Sequence, residues 1–247
     1  MEINKEIPKI IHYCWFGGKP LPKSAIKCIR SWKKFFPDYE IKEWNEDNFD
    51  VNQIPYTEQA YKAGKYAFVS DYARFKILYE YGGIYFDTDV EVIKSFEDII
   101  NNGPFLGFEI DSDTNYIGKV NPGLGMASYP KLPFFRIVLK RYYNHSGFIR
   151  TNGTYNTEDA VVNITTEELI KCGLSVNKHL QSVAGIFVYP SVWFNPFNYI
   201  TGKLVILNET HSIHWFNNSW SDYPKWKRLL NRLIHKLMEL VIENRKI

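Results

Sequence analysis

The chain has 247 residues, of which 45% are hydrophobic, so it is long enough to bury the core of a domain. A net charge of +3 is too small to predict a nucleic-acid partner, and no run of eighteen apolar residues predicts a membrane span. Cys14, Cys28 and Cys172 lack CxxC spacing, which argues against a disulfide framework or a zinc knuckle.

Apolar runs and helical patterns alternate along the chain. In chain order the patterns predict a strand at 7–18 ending in a Gly-Gly loop, a helix at 22–36, a strand at 39–44, helices at 57–63 and 65–81, strands at 84–87, 104–109 and 123–128, helices at 134–144 and 157–173, and strands at 185–190 and 203–207. Such interleaving predicts one α/β domain over residues 1–220, built around a mixed central sheet.

The segment GGIYFDTDV places Asp87 and Asp89 one residue apart at the end of an apolar run. On a strand, such residues point to the same face, where two carboxylates repel each other unless a positive charge lies between them. Carboxylate oxygens suit Mg²⁺ or Mn²⁺. The pattern therefore predicts a metal site in a cleft at the edge of the sheet, against the simpler alternative of two solvated acids.

Asp71 and Arg74 are three residues apart on the predicted helix 65–81, so they share a face. Their neighbours are apolar, which predicts a helix mostly covered by core. Since an unpaired buried charge is costly, the pair needs a partner or a function. An ordinary intrahelical ion pair is the alternative.

Two other functions of a DxD motif are weighed from the residues. Phosphatases of the haloacid-dehalogenase type also place DxD after an apolar strand, and Val90 fits their pattern, but the chain has no later GDxxxD or DD motif. A P-loop is excluded because GxxxxGK[ST] is absent. A third alternative is a non-catalytic module that binds a nucleotide-sugar or a glycan.

Three segments in order, PKIIHYCWFGG, SDYARFKILYEYGGIYFDTDV and HSIHWFNNSW, resemble the DxD-containing sugar transferases of glycosyltransferase family 32. That family includes capsular-polysaccharide and initiating-mannosyltransferase enzymes, and its core motifs are similar to those of the clostridial glucosylating toxins. The resemblance implies a GT-A-type fold with a Rossmann-like nucleotide-binding half. It also implies transfer of a hexose from a nucleotide-sugar to a saccharide acceptor with retention of anomeric configuration.

The resemblance also implies roles for individual residues. Trp15 would stack on the nucleotide base, and Ser70, Asp71 and Arg74 would hold the donor sugar and its diphosphate. Asp87 would contact the donor or the metal, and Asp89 would ligate the metal directly. The remaining donor-site positions implied by the resemblance are Tyr85, Asn121, Ser219 and Trp220.

The resemblance also implies His214 as the third metal ligand, with His211 as the alternative three residues earlier. No enzyme nucleophile is obvious from the residues, and Glu158 and Asp159 stay open as candidates. The expected donor is a UDP-hexose, and the expected cofactor is Mn²⁺ or Mg²⁺.

Residues 221–247 have a surplus of four positive charges, and their apolar residues fall on one helical stripe. They predict a basic amphipathic helix that either docks on its own domain or lies on an anionic membrane surface. With no apolar leader at the N-terminus, we expect a cytoplasmic protein that associates with the inner face of the membrane and uses a lipid-linked saccharide acceptor.

Overall fold

A computed structural model describes residues 5–114, 116–145, 147–158, 160–198 and 202–216, together with Leu230 and Leu233. The strands are β1 Ile10–Cys14, β2 Glu40–Trp44, β3 Gly83–Tyr85, β4 Val90–Val92, β5 Phe105–Ile110, β6 Lys119–Val120, β7 Met126–Ser128, β8 Gln181–Val183, β9 Ile186–Tyr189, β10 Phe197–Asn198, β11 Lys203–Leu204 and β12 Ser212–His214. The helices are α1 Lys23–Phe35, α2 Pro55–Lys62, α3 Tyr66–Tyr81, α4 Glu97–Asn102, α5 Pro133–Tyr143, α6 Val161–Lys171 and α7 Ser191–Phe194, with a 3₁₀ turn at Pro122–Leu124.

Within the described residues the central sheet has the strand order β2-β1-β3-β7-β5-β9-β8, and β6 pairs with β5 at the side. Strands β2, β1 and β3 run parallel to one another, as in a nucleotide-binding half, whereas β7 is antiparallel to both β3 and β5. The sheet is therefore mixed. A short antiparallel pair, β12 with β4, stands apart from it.

The two faces of the sheet bury separate hydrophobic clusters, because alternate side chains of each strand point to opposite faces. Ile84 of β3 joins the cluster that includes Trp32 of α1, and Tyr85 joins the cluster that includes Phe75 of α3. Burial on both faces explains why these strands are apolar runs rather than alternating patterns.

Helix α3 agrees with its predicted bounds to within one residue and leads straight into β3 through Gly82 and Gly83. Gly82 has φ 67°, and a Cβ there would lie 2.7 Å from the Pro130 ring. At Gly83, φ is 95°, and a Cβ would lie 2.6 Å from the carbonyl oxygen of Ile10. Only glycine meets both requirements, so the turn depends on this dipeptide.

Four predicted boundaries are wrong. Strand β3 ends at Tyr85, so Asp87 and Asp89 lie in a turn rather than on one strand face. The predicted strand at 123–128 begins with the 3₁₀ turn, the helix predicted at 157–173 begins only at Val161, and of 203–207 only two residues form a strand. In the first three cases a polar or glycine-containing end joins a turn, whereas at 203–207 the apolar residues 205–207 lie outside the strand.

The predicted C-terminal helix at 221–247 lies outside the described residues, apart from Leu230 and Leu233, which are helical with about half of each side chain exposed. Within the part of the chain that the structure describes, no helix combines the length and the apolar character that a membrane crossing requires.

Candidate functional site

The turn 86–89 between β3 and β4 carries both aspartates and is held on two sides. The backbone N–H of Asp87 donates to the Gly123 carbonyl at 3.1 Å, and the N–H of Trp215 donates to the Asp89 carbonyl at 3.0 Å. Gly123 belongs to the 3₁₀ turn and Trp215 directly follows β12. The carboxylates are thus positioned by segments distant from them in sequence.

Pairing of β12 with β4 places His214 opposite Val90, next to the turn. The Nε2 atom of His214 lies 3.0 Å from Oδ1 of Asp89. One ligand atom from each of Asp87, Asp89 and His214 lies within 4.8 Å of the others, so the structure brings together the three predicted metal ligands. His211, the alternative ligand, instead faces Asp98 at 3.1 Å and stacks on Trp193.

The chemistry of this donor set fits a divalent cation. Two carboxylates are hard oxygen ligands, and an imidazole adds a nitrogen of the kind that Mn²⁺ accepts more readily than Mg²⁺. The Nδ1 atom of His214 is buried without a hydrogen-bond partner among the described residues. Burial alone would lower the pKa of His214, but the charge and hydrogen bond of Asp89 raise it. The site therefore attracts positive charge.

Arg74 links the predicted sugar-binding helix to the turn. Its Nη2 lies 2.9 Å from Oδ1 of Asp71 and 3.3 Å from Oδ1 of Asp87, and its Nε donates to the Ser70 carbonyl at 3.1 Å. The guanidinium also lies over the Tyr85 ring, 5.0 Å from its centre. Only 4% of the side chain is exposed, so these contacts replace water almost completely.

Burial changes the acidity of the carboxyl groups around Arg74. Burial raises the pKa of Asp71 to about 6, although Arg74 and a hydrogen bond from the Val161 backbone oppose the shift. Burial likewise raises the pKa of Asp87, and the neighbouring charge of Asp89 adds to it, while Arg74 and His214 oppose it. Strongly perturbed carboxyl groups gathered in one place are typical of functional sites.

Other predicted donor-site residues surround this network. The Tyr85 hydroxyl donates to Oδ1 of Asp87 at 3.0 Å. Ser70 lies on α3, one turn before Arg74. Trp15 follows β1 at the same edge of the sheet and is partly exposed, as a stacking platform must be. Ser219 and Trp220 lie outside the described residues.

Asn121 directly precedes the 3₁₀ turn and is 8% exposed. Its Oδ1 accepts from the Gly123 N–H at 2.7 Å and so caps the 3₁₀ turn, while its Nδ2 donates to Oε2 of Glu109 at 2.8 Å. The structure thus gives Asn121 a structural function that the sequence did not indicate, alongside its predicted donor-site position.

Two residues of the site are missing from the sequence prediction. Glu109 lies near the end of β5, and its charge contributes to the raised pKa of His214. An acid ending an apolar run, the same signal that drew attention to Asp87, could have identified it. Cys14 of β1 shares hydrogen bonds with Tyr85 and Ser70, and burial raises its pKa to about 12. Nothing in the sequence around Cys14 indicates this placement.

Comparison with known proteins agrees with this geometry. Residues 22–106 match the family described as "Glycosyltransferase sugar-binding region containing DXD motif". An uncharacterized glycosyltransferase of Acanthamoeba polyphaga mimivirus is 27% identical over 229 residues, which cover 89% of this chain and 86% of the relative. Inositol phosphoceramide mannosyltransferase 3 of Schizosaccharomyces pombe is 31% identical over 99 residues, which cover 38% of this chain and 28% of the relative.

The fold also has a counterpart among solved structures. PaToxG Glycosyltransferase superposes with a TM-score of 0.53 at 21% identity, over 68% of this chain and 71% of that chain. The sequence matches confirm the predicted resemblance to DXD-containing glycosyltransferases. The structural likeness confirms the predicted α/β fold of the GT-A type with its mixed central sheet.

Proposed function

We propose that the chain transfers a hexose from a nucleoside-diphosphate sugar to a saccharide acceptor, with a divalent cation and with retention of anomeric configuration. The observation that carries this proposal is the buried network in which Arg74 joins Asp71 and Asp87 beside the cluster of Asp87, Asp89 and His214. It holds a buried guanidinium beside three side chains of the kind that bind a divalent cation.

The reaction requires these positive groups because of its leaving group. A nucleoside diphosphate departs with growing negative charge, which preorganised positive groups stabilise far better in a water-poor site than in water. Arg74 supplies a guanidinium whose position is set by two carboxylates and one backbone carbonyl. A cation bound at Asp89 would supply the second positive charge, as a Lewis acid on the diphosphate.

The carboxylates that fix Arg74 also have free oxygen lone pairs for the sugar. A carboxylate accepts hydrogen bonds from hydroxyl groups, and Asp71 is fixed by both Arg74 and the first N–H of α6. Such a rigid acceptor orients the sugar ring so that its anomeric carbon faces the acceptor hydroxyl.

Retention is proposed to occur by attack on the face from which the diphosphate leaves, without a covalent enzyme intermediate. Of the two candidate nucleophiles, Glu158 is 82% exposed and pairs with Arg150 at 2.8 Å, which argues against it. Asp159 lies outside the described residues.

The finer assignments belong to the same proposal. We expect a UDP-hexose donor, Mn²⁺ as the cation and a saccharide acceptor used in capsular or other surface polysaccharide. The S. pombe relative is named for an inositol phosphoceramide acceptor, which supports a lipid-linked acceptor here. The protein would then work in the cytoplasm at the inner face of the membrane, with residues 221–247 contacting the lipid.

The test is a donor-hydrolysis screen of UDP- and GDP-sugars with Mn²⁺, using the wild type, Asp89→Asn and the control Asp38→Asn. Asp38 is exposed and lies in the loop between α1 and β2. We expect the wild type and Asp38→Asn to hydrolyse one of the donors, and Asp89→Asn to have lost this activity.

Full metal-dependent hydrolysis by Asp89→Asn would overturn the assignment of Asp89. Binding of a nucleoside diphosphate without any hydrolysis would favour a non-catalytic module, and release of phosphate from simple phosphomonoesters would favour a phosphohydrolase.

A further inference from the structure

Glu109 is a carboxylate of the site that the proposed mechanism does not use. It is partly buried near the end of β5. Its hydrogen bonds indicate what it does there.

Hydrogen bonds connect Glu109 to the DXD turn. Oε2 of Glu109 accepts from Nδ2 of Asn121 at 2.8 Å, and Oδ1 of Asn121 accepts from the Gly123 N–H at 2.7 Å. The Gly123 carbonyl in turn accepts from the Asp87 N–H at 3.1 Å. Each bond leads to the next through one residue, so the chain of contacts runs from β5 to the backbone of Asp87.

Glu109 and the Gly123 N–H together fix which way the Asn121 amide faces. A carboxylate only accepts hydrogen bonds, so the NH₂ group of Asn121 must face Glu109 and its oxygen must face Gly123. Without an acceptor at position 109, only the hydrogen bond from the Gly123 N–H still holds the amide. A weaker cap of this kind loosens the turn that holds Asp87.

The Gly123 backbone is packed tightly against the Asp87 side chain as well. A Cβ built on Gly123 would lie 2.0 Å from Oδ2 of Asp87. The turn therefore limits both the backbone and the carboxylate of Asp87, and a small shift of the turn changes the position of a predicted metal ligand.

We propose that Glu109 is a positioning residue for Asp87, acting through Asn121 and the 3₁₀ turn Pro122–Leu124. This inference rests on the proposed function only in taking Asp87 as part of a cation site. The hydrogen bond, rather than the negative charge, is what the positioning requires.

The first test measures Mn²⁺ binding by electron paramagnetic resonance in the wild type, Glu109→Ala and Glu109→Gln. Loss of a residue that orients a metal ligand lowers metal affinity by about 10- to 100-fold. We expect about a tenfold loss in Glu109→Ala. In Glu109→Gln we expect a loss of less than about threefold, because the glutamine oxygen can still accept from Asn121. Glu40→Ala, at an exposed position of β2, is the matched control and should bind as the wild type does.

The second test needs no metal. Hydrogen exchange of the Asp87 and Gly123 amides should accelerate in Glu109→Ala and stay as in the wild type in Glu109→Gln, while amides of α1 are unchanged in both. Unchanged exchange and Mn²⁺ affinity in Glu109→Ala would overturn the proposal, and so would equal losses in both variants. If the wild type itself binds no Mn²⁺, the proposed cation site fails, and the exchange experiment still decides whether Glu109 positions the turn.

Discussion

The guanidinium of Arg74 lies between the carboxylates of Asp71 and Asp87, almost completely withdrawn from water. Removing one of these buried charges leaves the others unpaired, which costs much more stability than losing an ion pair on the surface. At the scale of the residue, the site depends on matched charges. The spacing of Asp71 and Arg74 also allowed an ordinary helical ion pair. The structure contains that pair together with a second one, between Arg74 and Asp87.

Replacing Arg74 tests this dependence. Arg74→Ala should lower the free energy of unfolding by about 3–5 kcal/mol, because it leaves the buried carboxylates unpaired. Arg74→Lys keeps the charge but cannot contact both carboxylates with a planar fork, so we expect at least a 100-fold loss in kcat/KM with a smaller loss in stability. Urea unfolding and donor hydrolysis measure the two effects. Arg136→Lys, on the exposed side of α5, should change neither, and a fully active Arg74→Lys would contradict the assigned role.

His12 of β1 predicts a pH dependence that is separate from the site. Its Nε2 faces the Gly82 carbonyl at 3.0 Å, its Nδ1 accepts from the Trp44 indole, and burial lowers its pKa to about 4. Between pH 6.5 and pH 4 the unfolded chain binds a proton that the folded chain does not, so stability falls as the pH is lowered through this window.

The expected loss from His12 is about 2–3 kcal/mol between pH 7.5 and pH 4.5, at 1.36 kcal/mol for each pKa unit. Comparing urea unfolding of the wild type with that of His12→Asn at both pH values isolates it, since asparagine does not titrate. Parallel pH profiles of the two proteins would show that His12 is not held neutral.

At the scale of the element, two glycine-containing turns position the site. The Gly82-Gly83 turn joins α3 to β3. The 3₁₀ turn at Pro122–Leu124 holds the DXD turn through the Gly123 carbonyl, which accepts from the Asp87 N–H. The first is recognisable from sequence as a helix C-cap. The second is not, because its importance comes from contact with a segment more than thirty residues away.

Gly82→Ala and Gly64→Ala compare a crowded glycine with one in open space. Both glycines have nearly the same φ, 67° and 68°, but a Cβ at Gly82 would meet Pro130, Pro8 and Ser128, whereas at Gly64 it would meet nothing within 4 Å. We expect Gly64→Ala to cost about 1 kcal/mol in stability and Gly82→Ala considerably more. Thermal unfolding measures both costs, and equal costs would contradict the expectation that the crowding around Gly82 excludes a side chain.

Gly123→Ala should impair the site more than the fold. The added methyl group meets the end of the Asp87 side chain, which can move aside, so we expect a change in melting temperature of only a few degrees. The displaced carboxylate should weaken Mn²⁺ binding by about tenfold or more. Electron paramagnetic resonance measures the binding. Gly153→Ala is the control for binding, since a Cβ there would meet nothing within 4 Å.

At the scale of the whole molecule, the mixed sheet separates two hydrophobic clusters. The site lies at the edge of the sheet that the carboxyl ends of β1 and β3 form. Helix α3 delivers Asp71 and Arg74, the β3–β4 turn delivers Asp87 and Asp89, and β12 delivers His214. The basic segment 221–247 follows β12 in the chain. If it lies on an anionic membrane, it would bring this edge of the sheet near a lipid-linked acceptor.

Flotation with vesicles tests that placement. The full chain should float with vesicles rich in anionic lipid, stay unbound with neutral vesicles and lose binding at high salt, because each Lys or Arg near the surface contributes about 1 kcal/mol. A chain ending at Ser221 should not float. Equal partitioning of the two proteins would show that the C-terminal segment is not a membrane contact.

Much of this protein is predictable from local sequence, because periodicity, capping glycines and turn residues act over a few neighbouring positions. The α/β class, helix α3 and its Gly-Gly end all follow from such signals, and the resemblance adds the cluster of charged residues. The prediction of a strand that presents Asp87 and Asp89 was wrong, since a turn forms there, in which the Asp87 N–H donates to the Gly123 carbonyl and the Asp89 carbonyl accepts from the Trp215 N–H.

Tertiary structure alone decided the contacts between distant segments. It joins Arg74 to Asp87, seats His214 rather than His211 beside Asp89, and brings Glu109 to Asn121. These arrangements depend on strand order and on which side chains are withdrawn from water, and neither is encoded at a fixed spacing along the chain. Short-range preferences determine the elements, whereas the charge balance of the site exists only once the sheet has formed.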